Sequence, residues 1–450
     1  MSSKDSDAAF VSDLGWLECH FTWDFRKEDT DLNLLAIKFS ENLSVLDKCK
    51  KNLRRQAFNF LAYIKYLQGS SEKALEYLES AEEENMANKK ECIVTYGNMA
   101  WVHYNMGKDD VAKAYTEKVQ DIYQAFPIDP TRASHREVQS EKAWSLLQFS
   151  KKYYGRAKEC FHDALQREPE DKEWNTGYAF SLFRLEGLEI REDKRVPCEK
   201  SPAVIQLKKA LTLDPDNAMI HVYLGLKCHR NQRNAEAWEH MRTALQMAPE
   251  DLSVALRVAK FMKKEEYYDM ALDLLKRMLK KAPNSSRLHH EIANDYRWKA
   301  KQLKDEHNPR LLRLCIQHLE EGARLNPGFI YPQLEMAVRY AELNNTAKAE
   351  LKFQELRARP NLRDRDLQAW HRMYGDFHLY RLSSEGIAVK HYKEGMRLQR
   401  VSTEWRSCRN RLFKILRYRR DDVYQIREFI NSFKRGESGD RAVEEADTIE

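Results

Sequence analysis

Residues that reverse the chain are scarce here: 450 residues carry only 15 Gly and 12 Pro. Few turn-formers over such a length mean few sharp connections, as in a stack of helices. The eight Cys stand singly at 19, 49, 92, 160, 198, 228, 315 and 408, without a C-x-x-C pair or other ligand spacing. That pattern reads as reduced, mostly buried thiols. No apolar run approaches about 18 residues, so no membrane-spanning helix is expected. The opening MSSKDSDAAF has neither the basic nor the apolar region of a secretory leader, and the expected location is the cytoplasm. Catalytic signatures are missing too: no nucleophile elbow, no phosphate-cradling glycine loop and no H-E-x-x-H helix. His289-His290 point to different faces of a helix, and Cys19-His20 fails likewise, so neither pair chelates one metal. The expectation is a protein that is not an enzyme and uses no metal or cofactor.

Nor does one sign of charge dominate. There are 76 Lys and Arg against 70 Asp and Glu, for a net charge of +6. Charges so interspersed fit a solvated helical surface; only their placement could argue for nucleic acid. A chain of this length is too long for one globular core, which leaves several domains or a repeat array.

Proline spacing favours the array. Pro215, Pro249 and Pro283 are 34 residues apart, and Pro327 and Pro360 are 33 apart. The steps from Pro169 to Pro215 and from Pro283 to Pro327 are 46 and 44 residues, the same period with inserts. A 34-residue period closing on Pro marks the tetratricopeptide repeat. Ala164-Leu165, Ala210-Leu211, Ala244-Leu245 and Ala323 precede their prolines. The small residue lets neighbouring helices approach, and proline ends the second helix because it has no N–H to continue the ladder. Proline-free units read similarly at Leu61–Ala81, at Tyr96-Gly97 through Ala112, and at Tyr374-Gly375 through Tyr392.

The expected fold is therefore all-α, a superhelical tetratricopeptide solenoid of about eight or nine repeats between residues 53 and 396, with polar inserts at 188–202 and 300–310. An N-terminal helical segment, 1–52, closes the groove. Repeats at 53–250 form the ligand pocket and repeats at 251–400 follow. A basic helix lies at 401–433 and an acidic disordered tail at 434–450. First helices of successive repeats line a continuous face suited to extended ligands. Two classes of partner then compete: peptide segments and nucleic acid.

Four strings carry a more specific signal. They are Cys19-His20-Phe21-Thr22-Trp23, Leu61-Ala62-Tyr63-Ile64-Lys65, Val94-Thr95-Tyr96-Gly97-Asn98-Met99-Ala100-Trp101 and Val258-Ala259-Lys260-Phe261. With them the chain resembles the interferon-induced proteins with tetratricopeptide repeats, from about residue 14 to beyond 395. The resemblance implies an antiviral protein of the cytoplasm. Such a protein holds the 5′ triphosphate or incompletely methylated cap of single-stranded viral RNA and keeps that message from translation. Alternatives are an adaptor binding proteins of antiviral signalling, or a binder of duplex or AU-rich RNA; assembly with itself or with family homologues stays open.

Residues can be placed under that reading one by one. Lys38, Asn42 and Leu46 are spaced i, i+4, i+8 and would line one helix face grading from cationic to apolar. The resemblance puts Lys38 and Asn42 on the phosphates and Leu46 on the capping base; otherwise Leu46 packs and Lys38 is solvated. Trp144 falls where the repeat usually holds Leu. It is either a core residue or, as the resemblance implies, a plate on which a methylated guanine stacks. Phe180 and Arg184 share a face, the ring suited to a base and the guanidinium to phosphate. The resemblance adds Glu173 ahead of that helix and Asn217, both on the guanine edge; Asn217 equally suits a helix cap. It also adds Tyr154, Lys260 and His290 on phosphates or first nucleotides, although Tyr154 fits the repeat core and the other two fit an ordinary surface.

The chain departs from the family pattern at Gln148, where relatives carry Lys beside the phosphates, and at Met219, Leu256 and Glu291. Glu291 sets a negative charge near the RNA backbone unless paired, and Arg257 could make up for the Arg that Leu256 replaces. After residue 400, Arg406, Arg409, Arg411, Lys414, Arg417, Arg419 and Arg420 surround Leu412, Phe413, Ile415 and Leu416. These four apolar residues would dock the helix on the last repeat, with the cations gripping RNA or merely solvating a terminal cap.

Overall fold

A computed structural model describes residues 10–84, 89–129, 134–188, 197–304, 308–360, 362–398, 402–418 and 423–434. Every regular element among them is a helix. The chain divides into two compact units, Met1–Glu186 with Val196–Val254 and Gly187–Arg195 with Ala255–Glu450.

In the first unit five helix pairs follow one another. They are Lys51–Leu67 with Ser71–Glu83, Ile93–Asn105 with Asp109–Ala125, Arg136–Phe149 with Tyr154–Leu165, Lys172–Leu188 with Pro202–Leu213, and Ala218–Arg230 with Asn234–Met247. Helix Leu32–Val45 precedes them, capped by Asp31, whose carboxylate accepts from the Asn33 and Leu34 amides at 3.1 and 3.2 Å. The second unit takes up helix Leu252–Lys264 with Tyr268–Lys281. It continues with Ser286–Gln302 and Pro309–Leu325, Ile330–Glu342 and Thr346–Arg357, and Asp364–Tyr380 and Glu385–Arg397. A tenth pair, Thr403–Tyr418 with Val423–Lys434, comes last. Nine pairs thus occupy the stretch in which the sequence predicts eight or nine, and the fold is the all-α tetratricopeptide array.

The repeat residues act as their types dictate. Second helices end at Leu213, Met247, Lys281 and Leu325, each two residues before a proline. Ala164, Ala210 and Ala244 are buried. Ala323 is not; the buried small residue there is Gly322, at the same five-residue distance from its proline as the alanines. At Gly177 a Cβ would stand 2.2 Å from the Phe161 ring, so only glycine lets that aromatic seat between helices. The insert predicted at 300–310 begins as a helix extension, since Ser286–Gln302 runs 17 residues against 13 for Leu252–Lys264. Most of the insert at 188–202, and the tail at 435–450, lie outside the described residues.

The N-terminal aromatic string is core. Leu14, Cys19, His20 and Trp23 are buried against the first helices of three successive repeats. The His20 imidazole meets the Asn98 amide nitrogen at 3.1 Å through Nδ1 and Ser145 Oγ at 3.0 Å through Nε2. Burial pushes its pKa down to about 3, so it stays neutral. Phe21 stacks on Trp101 with ring centroids 5.7 Å apart, and Trp101 donates to the Leu14 carbonyl at 3.2 Å. Gly97 makes this possible, because a Cβ there would lie 2.9 Å from Cys19 Cβ.

Candidate nucleic-acid interface

Helix Arg136–Phe149 carries the central residue. Trp144 is half-buried, with its ring edge-on to Phe161 at 5.1 Å and to Phe180 at 6.1 Å. It is neither a sealed core residue, as Trp174 is, nor a free one. Its Nε1 donates to Glu173 Oε1 at 3.0 Å, and Ser140 donates to the same oxygen. Arg136 approaches Glu173 Oε2 at 3.5 Å while pairing with Asp171 at 2.8 Å and with Glu168. Glu173 lies inside the first turn of helix Lys172–Leu188, not ahead of it as the sequence suggests, and one oxygen already orients the indole.

Phe180 and Arg184 sit one turn apart on that helix. Phe180 is buried between Trp144 and Tyr223, whose ring stands edge-on at 4.5 Å. The Arg184 guanidinium lies 5.2 Å over the Tyr154 ring and donates to the Leu147 carbonyl. Burial works against its charge, yet the Tyr223 and Tyr154 hydroxyls leave its proton held more firmly than usual. Tyr154 itself is buried.

Sequence reasoning missed Tyr223 and Lys227. Tyr223 stacks on Phe183 at 4.4 Å, and Lys227 Nζ lies 5.5 Å over the same Phe183 ring while pairing with Glu186. Their i, i+4 spacing repeats that of Phe180 and Arg184, which was the available signal. Also missed was Arg55, which donates to Glu141 Oε2 at 2.7 Å, with Asn59 donating to Oε1 at 2.8 Å. Both side chains of the ion pair are 1% exposed. It ties helix Lys51–Leu67 to the Trp144 helix.

Lys38 donates to Gln148 Oε1 at 3.1 Å. The neutral residue at 148 thus receives the ammonium, where a second lysine would repel it. Asn42 is half-buried one turn after Lys38. Leu46 does not continue their face: the helix stops at Val45, and Leu46 is its C-cap in extended conformation, with φ −71° and ψ 131°. Asn217 occupies an N-cap position but makes no side-chain cap bond; its amide donates to Asp214 at 2.9 Å. Met219 is half-buried on the same helix.

In the second unit Lys260 lies 3.3 Å from Glu291 Oε1, and Lys263 lies 2.9 Å from its Oε2. Burial opposes this carboxylate, but the two lysines outweigh it and bring the Glu291 pKa to about 2. The charge expected to be unfavourable is therefore paired. His290 Nε2 meets Glu335 at 3.2 Å and Asn294 at 3.3 Å. Leu256 is buried and Arg257 half-buried beside it.

Asp295 is the strained member of this group. Its side chain is 1% exposed, and Lys263 Nζ at 3.5 Å attracts it without a formed hydrogen bond to either oxygen. Burial, with Glu291 adding repulsion, pushes its pKa up from the ordinary 3.8 to about 7. The folded chain then keeps a proton that the unfolded chain has released by about pH 4, so stability falls as pH rises from about 4 to 7. Asp295→Asn removes that loss. The variant should melt above the parent at pH 8, by up to about 4 kcal/mol of stability, and with it at pH 4.

The basic helix docks through Trp405, Cys408, Leu412 and Ile415, against which helix Val423–Lys434 lays Ile426 and Ile430. Leu416 is partly buried there, but Phe413 is 38% exposed and does not dock. Arg411 pairs with Asp376 at 2.8 Å, and Arg409 covers the Trp405 ring at 5.0 Å. Arg419 and Arg420 lie outside the described residues.

Stacked helix pairs that gather an indole, two phenyl rings and a guanidinium define a helical-repeat binding protein. The chain belongs to the family of interferon-induced proteins with tetratricopeptide repeats. It is 32% identical over 436 residues to the human antiviral innate immune response effector IFIT1, covering 92% of this chain and 89% of that protein. It is 33% identical over 432 residues to human protein IFIT1 homolog B, covering 92% and 90%. Human interferon-induced protein with tetratricopeptide repeats 2 is 30% identical over 435 residues, covering 93% and 89%. The solved human IFIT1 dimer with PPP-AAAA superposes with a TM-score of 0.65 at 30% identity, over 94% of this chain and 97% of that one. The human IFIT1 dimer with m7Gppp-AAAA gives 0.67 at 31% identity, over 95% and 98%. No family model matches the chain. Among the described residues no helix is long and apolar enough to cross a membrane.

Proposed function

We propose that this chain is an antiviral RNA-binding protein of the cytoplasm that captures the 5′ end of foreign RNA, triphosphorylated or incompletely capped, and blocks its translation by sequestration without catalysing a reaction. The observation that carries this reading is the half-buried Trp144, oriented by Glu173 and edged by Phe161 and Phe180. Such a ring offers a stacking surface to a base, most of all to a cationic methylated guanine. Lys38 and Arg184 supply positive charge in the same unit, and the IFIT1 structures with PPP-AAAA and m7Gppp-AAAA supply the ligand class. Leu46, Phe180, Glu173 and Asn217 belong to the base side; Lys38, Asn42, Gln148, Tyr154 and Arg184, with Lys260 and His290 of the second unit, belong to the phosphates and backbone.

Binding to triphosphate, capped, ribose-methylated capped and monophosphate RNA tests it. Trp144→Ala should lower affinity for capped RNA by about 1–3 kcal/mol and for uncapped triphosphate RNA by less, with the melting temperature retained. Equal loss for both RNAs, together with a large fall in stability, would return Trp144 to the core. A parent chain that binds none of these RNAs would leave the protein-adaptor reading.

A further inference from the structure

We propose that Glu291 acts as a built-in competitor of RNA phosphate, occupying Lys260 and Lys263 and thereby setting how strongly the second unit holds an RNA backbone. The inference rests on the RNA reading above, in which Lys260 belongs to the backbone contacts. Its geometry comes from the second unit alone. One carboxylate receives two ammonium groups on separate oxygens, at 3.3 and 2.9 Å, an arrangement a phosphate would also accept. The two lysines are on helix Leu252–Lys264 and the acid is on helix Ser286–Gln302, so the clamp forms only when the repeats stack.

The two lysines differ in how easily they can be handed over. Lys263 is 19% exposed and is attracted to Asp295 as well, at 3.5 Å. Lys260 is 52% exposed, and Glu291 is its one carboxylate partner among the described residues. Its long stem can swing the ammonium from a protein oxygen to a phosphate oxygen without moving a helix. An arriving phosphate must still displace Glu291, and the released carboxylate then repels the backbone beside it. Glu291 and the partly ionised Asp295 offset most of the charge of Lys260 and Lys263. Counterion release drives sequence-independent RNA binding, and that offset suppresses it here. Phosphate contacts position an RNA rather than select its bases, so the effect is the same for every RNA that reaches this face.

The test is a double-mutant cycle in the full chain, read by affinity for a 5′-triphosphate RNA oligonucleotide over a range of salt. Glu291→Gln keeps the shape and removes the charge. It should tighten binding about three- to tenfold and steepen the log–log salt slope by about 0.7 per lysine released. Lys260→Gln should cost the parent about two- to threefold in affinity, because that ammonium is already shared with Glu291, and should cost the Glu291→Gln background more, cancelling most of its gain. Unchanged or weaker binding by a folded E291Q overturns the proposal. So does a large loss from K260Q alone, which stays readable should E291Q fail to fold. Arg184→Glu in the same assay separates the two readings. If it abolishes binding while E291Q has no effect, only the competitor role fails. If the parent binds no 5′-phosphorylated RNA, both fail.

Discussion

Arg184→Glu is expected to abolish capture of every 5′-phosphorylated RNA, with affinity falling at least about a hundredfold. The size follows from what the position combines. The guanidinium is partly buried over Tyr154, tied to the Leu147 carbonyl, and held charged by its tyrosine neighbours. A preorganised cation of this kind loses little freedom when phosphate arrives, and a carboxylate in its place repels the same phosphate. Affinity of the parent should fall steeply with salt, and the variant should keep little of that slope. Binding that ignores both the reversal and the salt concentration would contradict the RNA-end reading.

Glu141→Ala should produce the largest loss of stability, about 3–5 kcal/mol, visible in urea unfolding followed by circular dichroism. Removing this carboxylate leaves the Arg55 guanidinium, which is 1% exposed, with only Glu91 at 3.9 Å to balance its charge, and takes the acceptor from Asn59. A buried charge left so weakly paired costs far more than the pair contributes. Replacing Arg55 and Glu141 together with Met should accordingly recover most of the loss. Because Ser145, one turn beyond Glu141, holds His20, the single variant should also loosen the N-terminal string. A change below about 1 kcal/mol would mean that water reaches the pair.

The array was legible in the sequence because a repeat prints its contacts at a fixed period. Pro215, Pro249 and Pro283 mark helix ends, and buried Ala210 and Ala244 mark close approach. At Ala323 residue type misleads where spacing does not: Gly322 keeps the five-residue distance to proline and is the buried residue. Local spacing also brought Phe180 and Arg184 to one face. It failed at Leu46, because the helix ends at Val45 and no periodicity survives a C-cap. Phe413 failed likewise: four apolar residues in five positions cannot all face one neighbour. What no spacing could show were pairs between distant helices. Arg55 with Glu141, Lys38 with Gln148 and Lys260 with Glu291 form only once the repeats are stacked, and they decide which charges are engaged within the protein.

The N-terminal string places an order on how the chain is made. Repeat hairpins close between near neighbours in sequence, so each can form soon after its second helix is synthesised. The stretch from His20 to Arg26 has partners far downstream. His20 waits for Ser145 across 125 residues, Arg26 for Tyr153 across 127, and Trp23 for Arg156 across 133. The part that leaves the ribosome first is thus locked only once the third helix pair is being made. Until residue 156 is available, Phe21, Trp23 and Phe25 lack their full cover, and an aromatic-rich surface of that kind is what chaperones hold and what aggregates when they do not.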